Sequence, residues 1–206
     1  MAKERNKAVR AAVVERKTRE TSIRVSLVLD GSGKARINTG IGFFDHMLEV
    51  FAKRALFDLD VKAKGDLHVD MHHTVEDVGI VLGQALKQAL GDKKGIWRYA
   101  SIGLPMDESL VQAAVDISGR PFLFSRLKFK LKLKNKKVGD FDTSLVKEFL
   151  QALVNNALIT LHIVKVHGDN DHHIIEAVYK GLGLILGQAC RIDPRQKGVP
   201  STKGVL

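Results

Sequence analysis

The strongest constraint on this chain is an internal repeat. His72-His73-Thr74-Val75-Glu76 returns as His172-His173-Ile174-Ile175-Glu176, an offset of 100, and Gly83 meets Gly183 at the same offset. One helical turn further on, VLGQA at 81–85 is answered by ILGQA at 185–189. Upstream, Leu56-Phe57-Asp58-Leu59 matches Leu158-Ile159-Thr160-Leu161 at an offset of 102, which sets His46 opposite Glu148. Two copies are too few for a solenoid. They predict two similar α+β halves related by a pseudo-twofold axis, with sheets backed by helices.

Hydrophobic periodicity gives both copies the same order of elements. In the first, 22–30 and 34–39 read as strands on either side of the Asp30-Gly31-Ser32-Gly33 turn. A helix over 44–53, a strand over 56–64 and a helix from 72 to 90, stopped by Gly91, complete it. In the second, strands fit 109–117 and 122–134, a helix 143–156, a strand 158–166 and a helix 172–190. Each half is then β-β-α-β-α, a tandem duplication. The expected organisation is a first half at 1–92, a second at 93–192 and a tail at 193–206. Pro194, Gly198, Pro200 and Gly204 make that tail an irregular closing segment.

Composition removes several function classes. With 45% hydrophobic and 27% charged residues the chain has the balance of a folded domain. One cysteine, Cys190, excludes an intrachain disulfide and a cysteine-rich zinc site. No apolar run reaches the roughly 18–20 residues that cross a bilayer, so no membrane partner is expected. The opening MAKERNKAVRAAVVERK is basic but has no uninterrupted apolar core, unlike a secretory signal. A soluble, cytoplasmic protein is the expectation. The net charge of +10 raises the question of a polyanion partner. However, Arg126, Lys128, Lys130, Lys132 and Lys134 alternate with Leu127, Phe129, Leu131 and Leu133, which puts the cations on one face of a strand. Such a face is a solvated surface or a lysine-guarded edge. Only 6% of residues are aromatic, too few for a base-stacking platform, so no nucleic acid is expected.

The repeated HHxxE carries the chemistry. In a helix His72 and Glu76 share one face and can grip the same ion, whereas His73 points about 100° away around the axis. His172, Glu176 and His173 pose the same problem. The symmetry offers one solution: each helix gives its His/Glu pair to one metal and lends its other histidine to the second. One ion then takes His72, Glu76 and His173, the other His172, Glu176 and His73, with His46 and Glu148 as further ligands. A single HHxxE pattern is balanced by the plainer reading of surface histidines. Two copies at matching places in a duplicated chain favour a two-metal site. Imidazole and carboxylate without sulfur suit manganese, iron or zinc. His68, His162 and His167 have no repeat partner and read as strand or loop residues.

These residues also carry a resemblance. TGIGFFDHML (39–48), GDLHVDMHHTVEDVGIVLGQAL (65–86), SGRP (118–121), GDNDHHIIEA (168–177) and PSTKGVL (200–206) resemble the imidazoleglycerol-phosphate dehydratases over nearly the whole chain. The resemblance implies two similar α+β halves and two Mn²⁺ per active site, with other divalent transition metals admissible. It also implies a homo-oligomer of 24 chains built from trimers, with active sites where subunits meet. Carried over by position, one metal takes His46, His73, His172 and Glu176. The other takes His72, Glu76 and His173, with Glu148 where members of the family often carry His. Substrate contacts fall on Glu20, Arg98, Arg120, Lys180, Ser201, Thr202 and Lys203, a set suited to a phosphate ester. Val50 and Arg54 stand where Gln and His are more usual.

The reaction so implied is loss of water from imidazole glycerol phosphate, giving imidazole acetol phosphate, a hydro-lyase step of histidine biosynthesis. The proton lost from the glycerol carbon has no neighbouring carbonyl to acidify it. A ring held as imidazolate between two metals supplies the missing electron push. Glu20 is the candidate acid/base group, with metal-ligating Glu76 and Glu176 as the other carboxylates of the site. Two rival classes remain: a metal-dependent phosphoester hydrolase, and a basic binding module with a structural metal. Neither accounts as well for the paired HHxxE motifs together with His46 and the STKGVL tail.

Overall fold

The structure, a computed structural model, describes residues 9–129 and 137–206. The first half contributes β1 (Ala11–Lys17), β2 (Thr21–Val28), β3 (Ala35–Asn38), α1 (Gly42–Ala55), β4 (Asp58–Gly65) and α2 (His72–Leu90). The second contributes β5 (Tyr99–Met106), β6 (Ser109–Asp116), β7 (Phe122–Arg126), a short pair β8 (Lys137–Val138) and β9 (Phe141–Asp142), then α3 (Leu145–Ala157), β10 (Thr160–His167) and α4 (Asp171–Ala189). The two main sheets have the same order, β1-β2-β4-β3 and β5-β6-β10-β7. In each, the last strand of that order (β3, β7) runs parallel to its neighbour while the other pairings are antiparallel.

Period-2 alternation decides which face of each sheet is buried. In β2, Thr21, Ile23, Val25 and Leu27 turn inward while Ser22, Arg24 and Ser26 do not; Val111, Ala113 and Val115 do the same in β6. The inward faces carry the helices: α2 lies on β1 and β2, α4 on β5 and β6. Helices of one half then pack on helices of the other, α1 on α4 and α2 on α3, so both halves close one continuous core. Two glycines permit this. A Cβ on Gly83 would stand 2.6 Å from the Leu153 carbonyl oxygen, and one on Gly183 would stand 2.5 Å from that of Phe51. The same contact therefore occurs once in each helix pair.

The duplication and the helices agree with the sequence reading, but each main sheet has one more strand than expected, and the second half also carries the short β8–β9 pair before α3. Neither β1 nor β5 was anticipated. Both are edge strands, where one row of backbone groups is unpaired and the alternation is weak: β1 buries only Val14, and β5 contains Gly103 and Pro105. The Asp30–Gly33 turn does not join two paired strands either, because β4 lies between β2 and β3. The turn instead folds back on Asp58, whose carboxylate accepts from the backbone N–H of Ser32 (2.8 Å) and Lys34 (3.0 Å). Those bonds hold the Asp58 carboxyl below its ordinary range. The strand expected over 122–134 ends at Arg126, and its lysine-rich part, 130–134, lies outside the described residues.

Candidate active site

The HHxxE pairs open α2 and α4, where helix geometry leaves backbone N–H groups without intrahelical partners. Asn170 caps α4, its side chain accepting from the N–H of His172 (3.0 Å) and His173 (3.4 Å). At α2 the N–H of His72 donates to Asp70 (2.7 Å). Both anchors set a histidine pair in the first turn.

On α4, His172 Nε2 lies 3.3 Å from Glu176 Oε2. His46, from the first turns of α1, joins them, and one ligand atom from each of the three falls within 4.8 Å of the others. Phe43 packs edge-on against the His172 ring at 5.2 Å. Glu176 is only 8% exposed. Burial works against its ionisation, but Lys180 Nζ at 2.7 Å, with His46 and His172 nearby, outweighs burial and holds the carboxyl below its ordinary range. This group is a ready cluster of donors.

The α2 end is looser. His72 Nε2 and Glu76 Oε2 are 3.6 Å apart, with side chains 43% and 46% exposed. Glu148 sits half-buried on the facing helix α3. Among the described residues, His46, His172 and Glu176 form the one such three-donor group, and Glu148 does not complete a second with His72 and Glu76.

The exchange of histidines expected between the two helices does not take place within one chain. The reason is packing: α2 lies against α3, and α4 against α1. His73 Nδ1 instead donates to Asp66 (3.0 Å), with Glu20 Oε2 at 3.8 Å. His173 Nδ1 donates to Glu108 (2.7 Å), with Asp107 3.8 Å from Nε2. Both imidazoles are held above their ordinary pKa, in each case chiefly by that hydrogen bond. Sequence reasoning missed Asp66 and Glu108.

The expected substrate contacts divide between two places. Lys180 belongs to the α4 cluster, and Glu20 stands beside His73. Arg98, by contrast, donates its backbone N–H to Ala189 at the far end of α4 (2.9 Å). Its guanidinium grips Asp116 at 2.7 and 3.2 Å and reaches the Pro200 carbonyl (2.6 Å), which anchors the tail. Half-buried Ser201 and exposed Thr202 and Lys203 follow, and Arg120 is exposed beside Ser118. From Glu176 to Ala189 a helix rising ~1.5 Å per residue covers roughly 20 Å. One chain therefore holds its donor cluster, with Lys180, at one end of α4 and Arg98 with the tail at the other. Val50 is half-buried and Arg54 exposed on the later turns of α1. His68, His162 and His167 lie outside the donor group; the His162 ring stacks on Phe124 and His167 bonds the Glu108 carbonyl. Burial pushes the Cys190 thiol up to about 12, so it carries no thiolate at neutral pH.

Fold and site together define a duplicated α+β protein with a histidine–carboxylate centre at the N-terminal ends of its helices. The chain belongs to the imidazoleglycerol-phosphate dehydratase family, whose profile matches residues 39–186. It is 59% identical over 199 residues to the imidazoleglycerol-phosphate dehydratase of Methylorubrum extorquens, covering 96% of this chain and 100% of that one. Against that of Thermoanaerobacter pseudethanolicus it is 60% identical over 198 residues, 96% of this chain and 100% of the relative. The crystal structure of the Staphylococcus aureus enzyme superposes with a TM-score of 0.79 at 40% identity, covering 89% of this chain and 99% of that chain. The Pyrococcus furiosus enzyme gives 0.80 at 37%, covering 94% and 100%. No helix among the described residues is long and apolar enough to cross a membrane.

Proposed function

We propose that this chain is a cytoplasmic hydro-lyase that converts imidazole glycerol phosphate to imidazole acetol phosphate in histidine biosynthesis. In this reading it uses two divalent transition-metal ions, Mn²⁺ first among them. The observation that carries the metal dependence is the convergence of His46, His172 and Glu176 within 4.8 Å. Metal–ligand bonds of about 2.0–2.2 Å keep two donors on one ion within ~4.4 Å of each other, so small side-chain adjustments suffice. Two imidazoles and a carboxylate suit manganese, iron or zinc. His73 belongs to the same ion, and His72, Glu76, His173 and Glu148 to the second.

The bound ions lower the proton affinity of the substrate's imidazole ring and fix its orientation. The chain's own groups do the rest. Lys180 keeps Glu176 ionised and available as a donor. Arg98, Arg120, Ser201, Thr202 and Lys203 take the phosphate, restricting the substrate to a reactive pose. Glu20, beside His73 and more than half exposed, moves the proton between carbon and leaving hydroxyl. Glu76 and Glu176 serve as ligands first, and enter proton transfer only when a ligand bond shifts.

The roughly 20 Å of helix from Glu176 to Ala189, where Arg98 and the tail are anchored, supports a site completed by neighbouring subunits, and the assembly we propose is a homo-oligomer of 24 chains built from trimers. The test is product formation from imidazole glycerol phosphate by metal-stripped protein, with and without Mn²⁺. Metal-restored conversion to the phosphorylated ketone is expected. Release of inorganic phosphate instead would move the assignment to a hydrolase.

A further inference from the structure

Two carboxylates outside the expected ligand set make the same contact at two places. His73 Nδ1 faces both oxygens of Asp66, at 3.0 and 3.3 Å, and His173 Nδ1 meets Glu108 Oε2 at 2.7 Å. A neutral imidazole carries one N–H. An ionised carboxylate accepts that hydrogen, so its presence at Nδ1 fixes the tautomer and leaves the Nε2 lone pair facing outward. These are the two histidines that the helix geometry turns away from their own His/Glu pairs, so their ring orientation is the one that the HHxxE helix alone does not set.

The two contacts were not inherited as a pair. Asp66 stands in the loop that leads from β4 into α2. Its counterparts in the second half, at offsets of 100 and 102, are Val166 and Gly168, neither of which carries an acceptor side chain. Glu108 stands in the β5–β6 turn, whose first-half equivalent between β1 and β2 carries Glu20, 3.8 Å from His73. The duplicated halves therefore reach the same Nδ1 contact from different loops. Had the carboxylate only tied a loop to its helix, the surviving copy of the ancestral bond would occupy one position in both halves. What is common to both is the histidine nitrogen that is bonded.

We propose that Asp66 and Glu108 are positioning residues, each holding its histidine through Nδ1 so that Nε2 is presented to a metal ion, which in the assembly is one whose other ligands lie on another subunit. This rests on the two-metal reading above. Asp66 gives the cleaner variant because both its carboxylate oxygens face His73. Glu108 also accepts from the Ser109 hydroxyl (2.8 Å) and the Asn170 backbone N–H (3.0 Å), so it has a share in the cap of α4.

The experiment uses full-length protein, wild type beside Asp66→Asn and Glu108→Gln. Mn²⁺ affinity is measured by competition with a chromogenic chelator, and Co²⁺ is then substituted to record the visible ligand-field spectrum. Each variant is expected to bind one of its two ions about 10–100-fold more weakly and to shift the Co²⁺ bands. Metal-free Asp66→Asn should keep the wild-type circular-dichroism spectrum and a single cooperative unfolding transition, which separates ligand positioning from a loosened fold. Wild-type affinity and spectrum in both variants would overturn the proposal while leaving the two-metal reading intact. A wild-type protein that takes up no transition metal would overturn both.

Discussion

The two helix pairs are copies in fold and unequal in chemistry. Where α1 meets α4, His46, His172 and a buried, lysine-backed Glu176 bring one donor atom each within 4.8 Å of the others. Where α2 meets α3, His72 and Glu76 are near each other but half exposed, and the residue opposite His46 is Glu148. Duplication preserved the scaffold, down to the glycine contacts at 83 and 183, because every packing error in a shared core is penalised. In the proposed two-metal assembly the ligand positions are free to diverge, because solvent and a second chain would supply what one chain lacks. The expectation is one pre-assembled site and one that assembly must complete.

Removing the pre-assembled site should do most harm. His172→Ala is expected to cost one bound ion and at least about 100-fold in turnover, read by metal analysis and a product assay. His72→Ala should also remove an ion, but the one retained should be the tighter. Chelation comes next. If the tighter ion is held at ~100 times its Kd it contributes about 2.7 kcal/mol, so chelation should lower Tm by at least roughly 5–10 °C in a chain of this size. Restoring a single equivalent should recover most of that shift; equal recovery from each equivalent would mean that the two sites are alike.

Glu148 tests the weak side directly. Glu148→His restores the imidazole of the other copy and should tighten the second ion by ~10-fold, about 1.4 kcal/mol. Unchanged or weaker binding in that variant would mean that the carboxylate is already the better ligand there. The smallest effect concerns the metal-free protein. The Asp66–His73 bond lowers the Asp66 pKa and raises that of His73. The Asp66 share is present above its unfolded value near ~3.9 and is lost as pH falls through its depressed folded value. The His73 share is full below ~6.5 and is lost as pH rises through its raised folded value. The Tm gap between wild type and Asp66→Asn should therefore be widest between about pH 4 and 6.5 and narrow, without closing, as pH rises through the raised folded value of His73. Because both groups are solvent-screened it should be small, and a gap that widens with pH would contradict this account.

Much of this molecule is legible in its sequence where one local signal acts alone. The helix expected over 72–90 is α2, His72–Leu90, because the apolar period, the histidine pair and Gly91 agree. The edge strands β1 and β5 escape because an edge needs few buried residues, and Gly103 and Pro105 read as breakers on a strand that has no partner on one side. The placement of β4 between β2 and β3 is a matter of long-range pairing, which no short window contains. The same limit governs the site. Paired HHxxE motifs announce themselves, whereas Glu108 reaches His173 across 65 residues and has no pattern of its own. Asp66, seven residues before His73, lay within reach, but its meaning depends on how the loop after β4 turns.

The length of α4 has a genetic consequence. If the metal end of one chain works with the tail end of another, two variants that are each inactive need not be inactive together. A chain carrying His172→Ala still has its Arg98 end, and a chain carrying Arg98→Ala still has its donors. Co-assembled from equal amounts, about a quarter of the composite sites would draw both intact halves. Two silent alleles, expressed in one cell, would then restore growth that neither supports alone.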